Sequence, residues 1–198
     1  MKILHIDSAT TGANSVSREV SAAAVAHFKE KNPGAEVVYR DLGTEPLAHL
    51  NPTTTGAIRL PAEAHDENMK AAFAAERAVL DEFLGADVIV IGAPMYNFTI
   101  PSQLKAWLDR LGVPGVTFSY SEAGPEGLAG GRKVVIASTQ GGEYEMGGAM
   151  EHQEQLLKDF FGFIGITDPI FIRANKIGYG PEAREASIAD AKAEIAKL

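Results

Sequence analysis

The feature that most constrains the fold is an apolar run within residues 86–93, Ala-Asp-Val-Ile-Val-Ile-Gly-Ala, which stops at Pro94. The run is rich in β-branched residues and does not alternate with polar ones, which is typical of a strand buried on both faces of a parallel sheet. In open sheets of this kind, ligands bind just beyond the carboxyl ends of the strands. The side chains that come next therefore predict a site for a planar, partly polar ligand; they are Met95, Tyr96, Asn97 and Phe98.

Strand and helix patterns alternate along the whole chain. The predicted strands are residues 2–6, 35–39, 87–93, 133–138 and 169–173, and the predicted helices are residues 15–31, 66–84, 102–110, 149–162 and 181–198. This alternation predicts one α/β domain over residues 1–198, with helices on both faces of a five-stranded parallel sheet. We expect the doubly wound strand order 2-1-3-4-5 of flavodoxin-like folds. Residues 43–65 and 112–131 are predicted to be long loops able to wall a site.

Composition and charge limit the classes of molecule that the protein is expected to bind. The 198 residues are 45% hydrophobic and 22% charged, as in an ordinary globular domain. A net charge of −8 disfavours binding to nucleic acid and to anionic membranes, so we expect a small-molecule partner. The chain has no cysteine and therefore no disulfide or thiolate chemistry. A strand pattern starts at residue 2, and glycines and Pro169 break the apolar stretch 160–172, so we expect no export leader, no membrane span and a cytoplasmic protein.

A loop of small polar residues follows the first predicted strand, at residues 7–17. Its hydroxyl groups and the free N–H groups at the start of the next helix would favour a phosphate, and a monophosphate suits it best. The same residues are equally consistent with a simple turn and a helix cap at Asn14 or Ser15. The loop lacks the Gly-Lys-Ser/Thr ending of a P-loop and the spaced glycines of a dinucleotide fold.

A third segment follows the fourth predicted strand and contains paired glycines. Its residues are Thr139, Gln140, Gly141, Gly142, Glu143 and Tyr144. Paired glycines allow a ligand to approach the backbone closely, although an ordinary turn also accounts for them. The predicted topology gathers all three segments at one edge of the sheet. A phosphate site, an aromatic wall and a glycine floor together predict flavin mononucleotide (FMN) as the ligand.

Taken in order, these segments resemble the FMN-dependent NADH:quinone oxidoreductase and azoreductase family, which has a flavodoxin-like fold. The matching segments are residues 15–17, 93–98, 102–105, 115–118, 124–128, 141–142, 162–168 and 178–181. Because they run nearly from end to end of the chain, the resemblance is specific.

The resemblance implies a set of residues that bind FMN. The phosphate would be held by Ser8, Ala9, Ser15, Val16 and Ser17. The flavin ring would lie against Met95, Tyr96, Asn97 and Phe98, and its other polar edge against Thr139, Gln140, Gly141 and Gly142. Two residues depart from the family pattern, since Ala9 and Thr139 both stand where serine is common. Ala9 lacks a hydroxyl donor, whereas Thr139 keeps one.

The resemblance also implies an activity. NADH or NADPH would deliver hydride to FMN and leave, and a quinone or an aromatic azo compound would then take two electrons. Asn97 and Tyr144 are the candidate catalytic residues, with Tyr144 as a proton donor, and no metal is implied. The family forms homodimers with FMN near the interface. Phe118 and Tyr120 are candidate wall residues, and Arg59 is a candidate contact for a dinucleotide phosphate or an acidic dye.

Two other classes of protein remain as alternatives. A flavodoxin-like electron carrier would exchange single electrons with a protein partner and would not turn over NADH. A hydrolase on an α/β sheet would need a nucleophile or a metal, but neither Gly-x-Ser-x-Gly nor His-Glu-x-x-His occurs. The five histidines are scattered along the chain.

Overall fold

The computed structural model describes residues 1–198 and contains seven strands and six α-helices. In chain order they are β1 Lys2–Asp7, α1 Val16–Lys31, β2 Glu36–Asp41, α2 Pro52–Arg59, α3 Glu67–Leu84, β3 Val88–Pro94, α4 Ser102–Leu111, β4 Phe118–Ser121, β5 Gly124–Gly127, β6 Lys133–Thr139, α5 Glu154–Phe163, β7 Ile170–Ala174 and α6 Pro181–Ile195. Five strands form a parallel sheet in the order β2-β1-β3-β6-β7. This confirms the predicted α/β class and the flavodoxin-like strand order.

Strand β3 lies at the centre of the sheet, and all seven of its residues are buried. Its side chains alternate between two cores. Ile89 and Ile91 pack with α3, α4 and α5 on one face, and Val88 and Val90 pack with α1 and α6 on the other. Burial on both faces explains why the run in the sequence is apolar without alternation.

Within this strand residue 92 is glycine, because the start of α1 lies directly above it. A Cβ on Gly92 would lie 2.4 Å from Asp7 Oδ1 and 3.2 Å from the Ser17 carbonyl oxygen. Only glycine leaves room for both groups, so this residue sets how closely the start of α1 approaches the sheet.

Both segments predicted as long loops contain regular structure, and those predictions were wrong. Residues 43–65 include α2, which carries a sequence signal for its start: Asn51 caps it, Pro52 is its first residue, and Thr54 completes a capping box. Residues 112–131 contain the antiparallel hairpin β4–β5. Strand β5 reads Gly-Pro-Glu-Gly, which has no residue that favours a strand, so pattern alone does not reveal it.

Helix α5 begins at Glu154, five residues later than predicted. The Glu151 carboxylate accepts hydrogen bonds from the backbone N–H of Gln153 at 2.8 Å and of Glu154 at 2.7 Å, and so it caps the helix there. Helix α6 ends at Ile195 rather than at Leu198. None of the helices combines the length and the apolar character needed to cross a bilayer.

Candidate functional site

Three loops meet at the carboxyl edge of the sheet. The first loop (residues 8–17, including the first two residues of α1) follows β1, the second loop (residues 95–99) follows β3, and the third loop (residues 139–144) starts at the last residue of β6. The Thr10 N–H donates to the Tyr96 hydroxyl at 3.0 Å, which joins the first loop to the second. The Met95 N–H donates to the Thr139 carbonyl at 2.8 Å, which joins the second to the third. The structure therefore brings the three predicted segments together.

The first loop presents unpaired backbone donors at the start of α1. Ser15 caps this helix, because its Oγ accepts from the Arg18 N–H at 3.3 Å and lies 3.0 Å from Ser17 Oγ. The N–H groups of residues 11–13, Val16 and Ser17 make no hydrogen bond within the chain. Free N–H groups and the positive end of the helix dipole together favour an anion.

Ser8 and Ala9 lie beneath this layer of donors and are almost wholly buried. The Ser8 hydroxyl donates to the Gly92 carbonyl at 2.7 Å, so it is already committed to the sheet. The Ala9 carbonyl accepts from Arg18 Nη2 at 2.9 Å. Both residues therefore shape the floor of the first loop.

The second loop is a tight turn with two exposed N–H groups at its tip. Reciprocal backbone hydrogen bonds between Tyr96 and Thr99 close the turn at 2.8 and 3.2 Å. Asn97 (φ 49°) and Phe98 (φ 73°) both have positive φ, as in a type I′ turn. Their N–H groups make no hydrogen bond within the chain. The His152 N–H donates to the Phe98 carbonyl at 2.9 Å and supports this strained residue.

The third loop supplies another row of unpaired donors. The N–H groups of residues 141–144 have no partner in the chain, while the carbonyls of Gly141 and Gly142 accept from Gly178 and Lys176 at 3.0 and 2.8 Å. A Cβ on Gly141 would meet nothing within 4 Å, so packing within the chain does not require glycine there. The Tyr144 ring lies 6.3 Å from that of Phe98, edge to face, and closes this side of the site.

A buried carboxylate lies behind the first loop. Asp7 is 3% exposed and accepts hydrogen bonds from Ser21 Oγ at 2.8 Å and from the Tyr39 hydroxyl at 3.0 Å. Burial raises the pKa of Asp7, but the hydrogen bond and charge of His5 and the two hydroxyl donors outweigh it and lower the pKa below its ordinary value. Burial, together with the charge of Asp7, raises the pKa of Tyr39 to about 12.

Arg18 connects the side chains around Asp7 to Asp41 at the end of β2. Its guanidinium binds both carboxylate oxygens of Asp41, at 2.5 and 2.7 Å, and donates to the Tyr39 hydroxyl at 3.0 Å. The hydrogen bonds from Arg18 lower the pKa of Asp41. Sequence reasoning missed Arg18, Tyr39 and Asp41. Arg18 and Asp41 are 23 positions apart, and only the pairing of β1 with β2 brings them together.

The remaining candidates lie outside the three loops. Phe118 and Tyr120 are on β4, and the Phe118 ring packs 4.5 Å from that of Phe163. Arg59 ends α2 and shares with Phe118 and Phe163 the lining of a cavity of about 220 Å³. A larger cavity, of about 360 Å³, lies between Arg59, His65 and α3.

Comparison with known proteins places the chain in a family. Residues 1–198 match the flavodoxin-like fold family. The FMN-dependent NADH:quinone oxidoreductase of Rhizobium meliloti is 52% identical over 203 residues, which cover 100% of this chain and 96% of the relative. A Pseudomonas putida protein of the same name is 50% identical, with 99% and 97% covered.

Solved structures agree with this placement. The crystal structure of azoreductase AzrA matches with a TM-score of 0.90 and 30% identity, and the alignment covers 100% of this chain and 98% of that one. An azoreductase from Bacillus anthracis matches with a TM-score of 0.89 and 30% identity, covering 100% and 97%. The resemblance predicted from the sequence is confirmed: the chain belongs to the family of FMN-dependent NADH:quinone oxidoreductases, built on a flavodoxin-like fold.

Proposed function

We propose that this protein binds FMN at the three loops, takes hydride from NADH, and passes two electrons to a quinone or to an aromatic azo compound in a two-step, ping-pong cycle. The observation that carries this proposal is the meeting of three rows of unpaired N–H groups at one edge of the sheet. One ligand with a phosphate at one end and a polar ring at the other suits them. The names of the relatives, which specify quinone reduction and azo reduction, support the same substrates.

The first loop fits the FMN phosphate. The N–H groups of Val16 and Ser17 are free, and the Ser15 and Ser17 hydroxyls lie beside them. Hydrogen bonds to a phosphate are charge-assisted and therefore strong. Ser8 and Ala9 are buried below this loop, and free backbone N–H groups of the loop would serve in place of the hydroxyl that Ala9 lacks.

The second and third loops fit the flavin ring. Met95, Tyr96, Asn97 and Phe98 form one wall, and Gly141 and Gly142 form the other, with Thr139 and Gln140 buried behind them at 2% and 1% exposed. The open space beside Gly141 leaves room for a ring. When bound, FMN supplies the redox chemistry, since it accepts hydride and passes electrons on. The free N–H groups of Asn97 and Phe98 would stabilise negative charge that develops at the polar edge of the ring.

Tyr144 is our candidate for the proton donor to the electron acceptor. It is half-buried, and its ring contacts Phe98 at the mouth of the site. A quinone oxygen or an azo nitrogen that gains electrons must also gain a proton, and a nearby phenol provides one. Asn97 is the second candidate, chiefly through its backbone N–H.

A homodimer with FMN near the interface would cover the aromatic surface around the hairpin. Tyr120 is 75% exposed and Phe163 is 37% exposed, and both pack against Phe118. Exposed aromatic clusters of this kind mark protein interfaces. Arg59 borders this surface, where it would face a dinucleotide phosphate or an acidic dye. Sedimentation velocity tests the dimer, and a single species at the monomer mass of 21.0 kDa would contradict it.

The central experiment follows the flavin spectrum without oxygen. The purified protein, loaded with FMN, should be yellow, should bleach on addition of NADH and should recover its colour on addition of benzoquinone. Protein that cannot be loaded with FMN would overturn the proposal. Loaded protein that NADH cannot bleach would favour the electron carrier instead.

In steady state, parallel double-reciprocal plots support the two-step order, and intersecting plots contradict it. A cytoplasmic location fits this use of NADH, and residues 1–198 are proposed to form one domain.

A further inference from the structure

The Arg18 side chain lies behind the first loop and donates a hydrogen bond to the peptide group between Ala9 and Thr10. Arg18 Nη2 donates to the Ala9 carbonyl at 2.9 Å and to Asp41 Oδ1 at 2.5 Å, while Nη1 donates to Asp41 Oδ2 at 2.7 Å. The Arg18 and Asp41 side chains are only 16% and 17% exposed. A planar guanidinium held at both edges has little freedom to move, so the Ala9 carbonyl is fixed against the end of β2.

The other side of the same peptide group is held by the second loop. The Thr10 N–H, which belongs to the Ala9–Thr10 peptide, donates to the Tyr96 hydroxyl at 3.0 Å, and Thr10 Oγ1 lies 3.3 Å from the same oxygen. Tyr96 is the residue at which the turn with the free Asn97 and Phe98 donors begins. A continuous set of contacts therefore runs from Asp41 through Arg18 and one peptide group to that turn.

The peptide has no room to shift away from these contacts. Gly43, which follows β2, packs so closely that a Cβ there would lie 2.1 Å from the Ala9 carbonyl oxygen and 2.9 Å from Arg18 Nη2. The Asp41 carboxylate also accepts from the Gly43 N–H at 2.9 Å. The end of β2 thus encloses both the carbonyl and the guanidinium.

We propose that Arg18 and Asp41 are positioning residues that set the spacing between the first loop and the second loop. This inference rests on the proposed binding of FMN across those loops. FMN would touch both loops at once, through its phosphate and its ring. Riboflavin, which has the ring but no phosphate, would depend far less on their spacing.

This difference gives the role of Arg18 a measurable signature. Removing the hydrogen bond from Arg18 to the Ala9–Thr10 peptide should weaken FMN binding by about tenfold or more. This is the expected effect when one charge-assisted hydrogen bond to the phosphate is misplaced. Riboflavin affinity should change little, because a ligand bound only at the second and third loops gains nothing from the correct spacing of the first and second loops. A merely structural role would weaken both flavins in parallel.

The experiment compares Arg18→Gln and Arg18→Lys with a matched control, Arg40→Gln. Arg40 is the neighbour of Asp41 on β2, and its guanidinium makes a similar two-pronged pair with Glu82, at 2.7 to 3.0 Å. Titration of apoprotein, followed by quenching of flavin fluorescence, gives the dissociation constants for FMN and riboflavin. Urea unfolding reports the stability of each variant. If Arg18→Gln does not fold, Asp41→Asn carries the same test, because it removes the charge that holds Arg18.

The expected result is selective loss of FMN affinity in both Arg18 variants, smaller for lysine, and unchanged FMN affinity in Arg40→Gln. Combining Arg18→Gln with Tyr96→Phe should cost less than the sum of the two single changes, because both break the same set of contacts. Wild-type affinity for FMN in Arg18→Gln, or equal losses for FMN and riboflavin, would overturn this inference. Failure of the wild-type protein to bind FMN would instead overturn the proposed function.

Discussion

The sequence left open whether Ser15 caps a helix or contributes to a phosphate site, and its position in the structure allows both. Its hydroxyl accepts from the Arg18 N–H, so it is a helix cap, and it also lies beside Ser17 Oγ and next to unpaired N–H groups. Capping satisfies only one of the donors at the start of α1. The remaining donors stay available for an anion, so the cap and the phosphate site are compatible.

Replacing Ser15 by alanine therefore has two consequences. We expect FMN to bind about 10- to 100-fold more weakly, because one hydrogen bond to a charged group contributes about 1.5–3 kcal/mol. Loss of the cap should lower the free energy of unfolding by about 1 kcal/mol. Asn51→Ala is the control, since it removes the cap of α2 away from the three loops. FMN titrations in which Ser15→Ala matches wild type would exclude a phosphate contact.

Gly92, buried in β3 beneath the start of α1, and Gly141, in the third loop, should respond to alanine in opposite ways. Gly92→Ala forces a methyl group against Asp7 and the Ser17 carbonyl, so we expect a loss of about 1–3 kcal/mol in urea unfolding. Gly141→Ala adds a methyl group in open space, so stability should hold while FMN binding weakens. Equal stability of the two variants would contradict the packing argument at Gly92. Unchanged FMN affinity in Gly141→Ala would place the ring elsewhere.

At the scale of elements, long and strongly patterned segments could be predicted and short ones could not. The three central strands of the main sheet follow from buried apolar runs, and α1 follows from helical periodicity, whereas β5 has only four residues and no strand-forming side chain. The three loops could be predicted because parallel strands end at the same edge. The pairing of Arg18 with Asp41 could not, because the predicted second strand ends at residue 39, whereas β2 runs on to Asp41 and places it opposite Asp7.

The turn of the second loop is an element whose backbone, rather than its side chains, is proposed to contact the flavin. Glycine adopts the positive φ of Asn97 without strain, so Asn97→Gly removes the carboxamide and keeps the turn. We expect stopped-flow reduction of bound FMN by NADH to stay close to the wild-type rate. Asn97→Ala is the comparison, because a non-glycine residue at this φ costs about 1–2 kcal/mol. A tenfold or greater slowing, about 1.4 kcal/mol, in Asn97→Gly would assign the role to the carboxamide.

At the scale of the whole molecule, the ionisable side chains of Asp7, Tyr39 and Asp41 behind the first loop tie stability to pH. The folded state lowers the pKa of Asp7 and of Asp41. Their stabilising contribution is therefore fully present above their ordinary pKa of about 3.9 and is lost as the pH falls through the lower, folded values. Tyr39 acts in the opposite direction, because its pKa is raised to about 12. Its contribution is present below about pH 10 and is lost as the pH rises towards 12.

The variant Asp7→Asn tests how stability depends on pH in the acidic range. Asparagine keeps the size of the side chain but cannot carry the charge that the surrounding donors stabilise, so at pH 7 we expect a loss of about 1–3 kcal/mol in the free energy of unfolding. Below about pH 4 the unfolded wild-type chain binds a proton at Asp7 that the folded chain does not yet bind, so the difference should shrink steadily as the pH falls further. Asp168→Asn, at an exposed position, is the control and should follow wild type throughout. Urea unfolding from pH 3 to pH 7 measures both, and a difference that stays constant with pH would show that the charge of Asp7 does not stabilise this fold.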